Sequence, residues 1–139
     1  IVVLQPLSVC VPALLAEVTR QPCDELIGQS DFAACDHNMA NYYPSSRALN
    51  MPYALATDGK RLVVADTANS RLIGWTNGGI APAADRLAGQ PDFASKGDNG
   101  WGIAQRNSLC WPYGLSALDG RVAIADSGNN RVLLWKYAT

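Results

Sequence analysis

Histidine, phenylalanine and charge are what this 139-residue chain has least of. It holds one histidine, two phenylalanines and two methionines, and charged residues make up 17% of it. A zinc hydrolase or lyase site needs several converging His, Asp or Glu donors, so His37 alone in a polar loop reads as a solvated residue. Eleven basic residues face twelve acidic ones, and Lys60, Lys96 and Lys136 are scattered. That balance leaves no cationic footprint for a polyphosphate backbone, and no nucleic-acid partner is expected. Nucleophile elbows, HExxH-like spacings and glycine-rich phosphate loops are missing, and no cofactor is expected. Asp98-Asn99-Gly100 lacks the alternating oxygen ligands and closing glutamate of a calcium loop, and reads as a tight turn.

Long apolar runs are absent too. The uncharged opening, residues 1–16, contains Pro6 and Pro12, has no basic start and is shorter than a bilayer requires. It reads as a strand followed by a loop, with no membrane span. Four cysteines are present, Cys10, Cys23, Cys35 and Cys110, and no two are separated by only two to four residues, which excludes zinc-finger and redox-dithiol spacing. Free thiols and disulfides both remain open.

What the chain has instead is a repeat. Residues 49–75 and 109–135 align at an offset of 60 with ten identities in 27 positions, and Leu26-Ile-Gly-Gln-Ser-Asp-Phe32 returns at an offset of 61 as Leu87-Ala-Gly-Gln-Pro-Asp-Phe93. A period of this size indicates supersecondary units that bury their apolar faces by stacking on neighbours. Turn residues divide each unit into short strands. In the first, 53–57 ends at Asp58-Gly59, 62–65 ends at the Asp66-to-Arg71 turn, and 72–75 follows. The second gives 113–117, 122–125 and 132–137 in the same way. Asp-Gly between apolar runs predicts tight hairpins. Residues 85–89 and 24–28 supply a further strand ahead of each Gln-x-Asp-Phe. Four short antiparallel strands per unit predict an all-β propeller blade.

Pro-Tyr-[Ala/Gly]-Leu, then Asp-Gly, a strand, Ala-Asp-[Ser/Thr]-x-Asn-x-Arg and an apolar strand ending in Trp resemble the NHL-repeat family of β-propellers. The Gly-Gln-x-Asp-Phe element resembles its bacterial members of longer period. The resemblance runs from about Asp24 onward and implies a partial propeller over 1–139. Residues 1–28 would end one blade, 49–90 form a second, and 109–139 form a third lacking its outer strand. Residues 5–22 match nothing in the other repeat. A propeller typically closes with about four to eight blades. The chain is therefore expected to be a fragment of a larger propeller, or to close a ring as a homo-oligomer in which the 24–28 strand completes the next copy's last blade.

Up-and-down strand order puts the Asp66 and Asp126 turns on one face, beside the long connections 29–51 and 90–111. If disulfides exist, this topology favours Cys10 with Cys23 and Cys35 with Cys110, and a periplasmic or extracellular location would follow. Asp66, Asn69 and Arg71, with Asp126, Asn129 and Arg131, recur in both units and are expected to be structural, as are the two Gly-Gln-x-Asp-Phe elements. Tyr42, Tyr43, Trp101 and Trp111 do not recur. Aromatic residues in non-repeating connections suit a binding surface, or they fold back as lids over the sheets.

The expected function is a non-catalytic protein-interaction or scaffold module, with a protein partner or further blades. The alternative is part of a propeller enzyme, similar to NHL-containing amidating lyases or to lactone hydrolases, whose active-site ligands lie on blades outside this sequence.

Overall fold

A computed structural model describes residues 22–78 and 83–136. Each period of the repeat forms one antiparallel sheet whose strands neighbour one another in chain order. The first sheet contains β1 (Pro52–Thr57), β2 (Leu62–Asp66), β3 (Arg71–Trp75) and β4 (Arg86–Ala88); the second contains β5 (Pro112–Leu118), β6 (Arg121–Asp126) and β7 (Arg131–Lys136). Short 3-10 turns are the only helical elements among the described residues. The described residues are all-β.

Seven strands match the expected ones to within one or two residues, but the strand expected at 24–28 is not formed. Among the described residues, 22–27 join no strand ladder, and Gly28 makes an isolated bridge to Ala48. A strand needs a neighbour to take its backbone hydrogen bonds, and the opening strand read from the sequence lies outside the described residues.

The two Asp-Gly sites fold differently. Leu118 pairs with Arg121, so Asp119-Gly120 is a two-residue turn with φ of 44° and 73°. Two positive φ values match the right-handed strand twist, as expected for a tight hairpin. In the first sheet Thr57 pairs with Leu62, leaving a four-residue loop. There the Asp58 carboxylate accepts from the Lys60 and Arg61 amides at 3.0 and 2.8 Å and takes two bonds from the Arg61 guanidinium.

A register shift follows the proline that opens each first strand, so Tyr53 and Tyr113 bulge out of their ladders. The first strands β1 and β5 lie side by side, and the two rings meet edge to face with centroids 4.6 Å apart. Between the sheets lies one core, where Ala65 and Leu72 of the first meet Val122 and Ile124 of the second, with Leu109 sealed between them. Period-two alternation sends Val64, Ile73 and Trp75 to the opposite side of the first sheet, into a second cluster with Leu49 and Ala84. The opposite side of the second sheet stays open, and Val132 and Leu134 are exposed there.

The four-residue loop has a pH signature. The Arg61 and Lys60 amides, and then the Arg61 guanidinium, hold the Asp58 carboxyl below the ordinary aspartate range, at about 2. A depressed folded-state pKa means these bonds contribute above the ordinary aspartate pKa and are lost as pH falls through about 2. Carbon-detected NMR titration of Asp58 is expected to show that low midpoint, with the Lys60 and Arg61 amides losing protection in the same step. A midpoint in the ordinary aspartate range would disprove the loop geometry.

Candidate functional site

The face carrying the two long connections is organised by the Asp-x-x-Asn-x-Arg turns. Asp66 ends β2, Asn69 lies in a 3-10 turn, and Ser70 takes a left-handed conformation that returns the chain into β3 at Arg71. One Asp66 oxygen accepts the Asn50 amide at 2.6 Å; the other accepts Asn69 Nδ2 at 2.8 Å and Arg71 Nε at 2.6 Å. The remaining guanidinium nitrogens donate to the carbonyls of Ser45, Ala48 and Phe93. Arg71 thus fastens both long connections to one strand. Burial pushes the Asp66 carboxyl up, against the opposing pull of Arg71, Asn69 and the Asn50 amide.

The second copy repeats this set. Asp126 accepts from the Cys110 amide, Asn129 Nδ2 and Arg131 Nε at 2.7, 2.8 and 2.7 Å, and Arg131 reaches the Gln105 and Ser108 carbonyls. Each turn asparagine also pairs with an asparagine of a long connection, Asn38 with Asn69 and Asn99 with Asn129. Asn38 and Asn99 share positive φ values of 50° and 53°, and their amides donate to Leu49 and Leu109. The loop around His37 therefore has a repeat partner in Asp98-Asn99-Gly100. The exposed His37 enters no cluster, and among the described residues no three His, Cys, Asp or Glu side chains converge.

Gly-Gln-x-Asp-Phe is equally local. Gly28 and Gly89 have φ of 95° and 92°, and a Cβ on either would lie 2.7 Å from the Leu49 or Leu109 side chain. Gln29 and Gln90 donate to the carbonyls of Asp36 and Gly97. Asp31 and Asp92 each cap two backbone amides. The buried Oε1 atoms of Gln29 and Gln90 both lack partners, so that orphan oxygen is a property of the repeated turn.

The non-repeating residues are arranged differently. Tyr42 and Tyr43, perpendicular with centroids 4.9 Å apart, share a cleft of about 320 Å³ with Trp101, Pro91 and Lys96. Lys96 joins the two connections: its ammonium donates to the Tyr42 carbonyl at 2.7 Å and sits 3.6 Å from the centre of the Tyr42 ring. Trp101 has a φ of 66°, unusual for a bulky residue, and its indole lies over Gly97, where a Cβ would come within 2.2 Å of the ring. All three rings remain open to solvent, at 70%, 66% and 77% exposure for Tyr42, Tyr43 and Trp101.

Trp111 is not part of this cleft. Its indole donates to Asp98 and stacks on Tyr113 at 6.3 Å, extending the aromatic row that begins at Tyr53. The expected group of four is thus three plus one. Pro91 and Lys96 were not singled out by sequence, because the lysine's role depends on a contact with a distant loop.

Neither expected disulfide is present. Cys23, Cys35 and Cys110 are free thiols, and Cys10 lies outside the described residues. Cys35 stands near the start of one long connection and Cys110 at the end of the other, beside β5. Sharing a face did not bring them together. With no disulfide among the described residues, the condition for an oxidising compartment is unmet.

The two ion pairs differ in burial, and this separates their energetics. Arg71 and Asp66 side chains are both fully buried, whereas Arg131 is 28% exposed beside a fully buried Asp126. Asp66→Ala strands a guanidinium without water and is expected to cost about 3–5 kcal/mol. Asp126→Ala, whose arginine can turn to solvent, is expected to cost about half as much or less. Urea unfolding of the two variants checks the order.

Comparison with known proteins finds neither a family model nor a curated protein that matches this chain.

Proposed function

We propose that this chain is a non-catalytic protein-interaction module built on an NHL-like β-propeller. The observation that carries the reading is a division of labour. The repeated polar side chains are engaged in bonds within the fold, while non-repeating aromatic side chains from two connections gather in one open cleft. Exposed tyrosine and tryptophan supply large contact area at small entropic cost, the usual composition of a binding hot spot.

The propeller reading draws support from the sheets. Both are up-and-down, their first strands adjoin, and a core fills the space between them. Val132 stands in the second sheet where Leu72 stands in the first, yet Leu72 is 4% exposed and Val132 is 68% exposed. The open face is thus the counterpart of the face that the first sheet uses to hold the second. A further unit of the same repeat is the occupant it fits.

A photo-crosslinking residue placed at Trp101 is expected to capture a discrete protein in the source cells. The same residue at Thr57, on the opposite face, is expected to miss it, and identical products from both positions would sink the interaction reading. For the open face, sedimentation of the chain is expected to show concentration-dependent association that Val132→Asp reduces. A monomer at every concentration would argue against a further repeat unit.

A further inference from the structure

We infer that the Tyr42/Tyr43/Trp101 cleft receives an extended, proline-containing peptide segment with an acidic side chain placed to meet Lys96; this rests on the protein-interaction reading and names its ligand. Three properties of the cleft converge on that chemistry.

The first is the shape and nature of the walls. Two perpendicular tyrosine rings and an exposed indole present apolar ring surface to the cleft. A prolyl ring packs on such surface, and the polyproline conformation is already extended, so little freedom is lost on docking.

The second is hydrogen-bond polarity. The Tyr42 and Tyr43 hydroxyls and the Trp101 indole N–H have no hydrogen-bond partner among the described residues. The cleft therefore offers three donors beside ring faces, against one unpartnered acceptor, Gln90 Oε1. A proline-rich segment is the matching ligand, since its carbonyls need donors while its prolines present no N–H. Sugar hydroxyls call for several acceptors, whereas Gln90 Oε1 is a single unpartnered one and no carboxylate lines the cleft among the described residues.

The third is charge. Lys96 is half-buried against the Tyr42 ring and forms no ion pair with a carboxylate among the described residues. A cation held this way disfavours cationic ligands and attracts an acidic one. Single-stranded nucleic acid would also use stacking and positive charge, but its phosphates ask for a track of cations, and among the described residues Lys96 is the one cation lining this cleft.

The variants needed for a test are structurally mild. Trp101 occupies the place that Ala40 fills in the first copy, at nearly the same φ of 62°, so Trp101→Ala installs a residue the repeat already accepts. Lys96→Met keeps the apolar stem and removes the charge.

The experiment is fluorescence anisotropy with a labelled decapeptide of alternating proline pairs and glutamates. It is compared with the same peptide carrying lysine for glutamate, with alanine for proline, and with decauridylate and an oligogalacturonate. The full chain is expected to bind the proline–glutamate peptide, weakened about tenfold or more by Trp101→Ala. Lys96→Met is expected to weaken it about fivefold and to abolish the preference for glutamate over lysine. Three outcomes overturn the inference: no binding of the proline–glutamate peptide at millimolar concentration, equal or tighter binding of either polyanion, or an unchanged preference in Lys96→Met. If the peptide fails while crosslinking at Trp101 still captures a discrete protein, the ligand chemistry is wrong and the interaction module stands. If both fail, the interaction reading falls as well.

Discussion

The ion pair between Asp66 and Arg71 is the contact on which the face of the molecule depends. It is fully buried, and it would be a costly arrangement if it joined only two neighbouring residues. Its value lies in what else the two groups hold. The carboxylate fixes the amide leading into β1 and the turn asparagine, while the guanidinium takes up carbonyls from two separate connections. Backbone carbonyls that would otherwise be left without partners in irregular segments thereby acquire donors. The long connections are held against the sheet without regular secondary structure of their own.

The repeat of this arrangement at Asp126 and Arg131 shows which parts are structural and which are free to vary. Bonds made twice with the same partners belong to the scaffold. What differs between the copies is the side chains at the loop surface, and there the second copy carries Lys96 and Trp101 where the first has Cys35 and Ala40. The cleft is thus an elaboration of one repeat, completed by two tyrosines from the other.

Much of this was legible in the sequence because the relevant chemistry is short-range. The second Asp-Gly turn, the Asp-x-x-Asn-x-Arg bend and the Gly-Gln-x-Asp-Phe turn each use residues a few positions apart, and repetition distinguishes the last two from chance; the first Asp-Gly sits instead in a four-residue loop. The missing information was long-range. The equivalence of Asn38 with Asn99 was hidden by unlike flanking residues, though their backbones and bonds coincide. The cysteine pairing failed because strand order assigns a face and not a position along a connection of some twenty residues. The strand at 24–28 had the composition of β4 but no paired neighbour among the described residues, and composition alone does not make a strand. Lys96 gained its place only through a carbonyl and a ring on another loop.

The left-handed backbone shared by Ala40 and Trp101 has a practical corollary. A position that carries the smallest chiral side chain in one unit and the largest in the other, with little change in φ, is coupled to its own loop rather than to the core: Gly97 lies beneath the indole, where the first copy has Asp36. Such a position can be rewritten by substitution without renegotiating the core, which makes it a natural socket for altered specificity, by mutation in nature or by grafting in the laboratory.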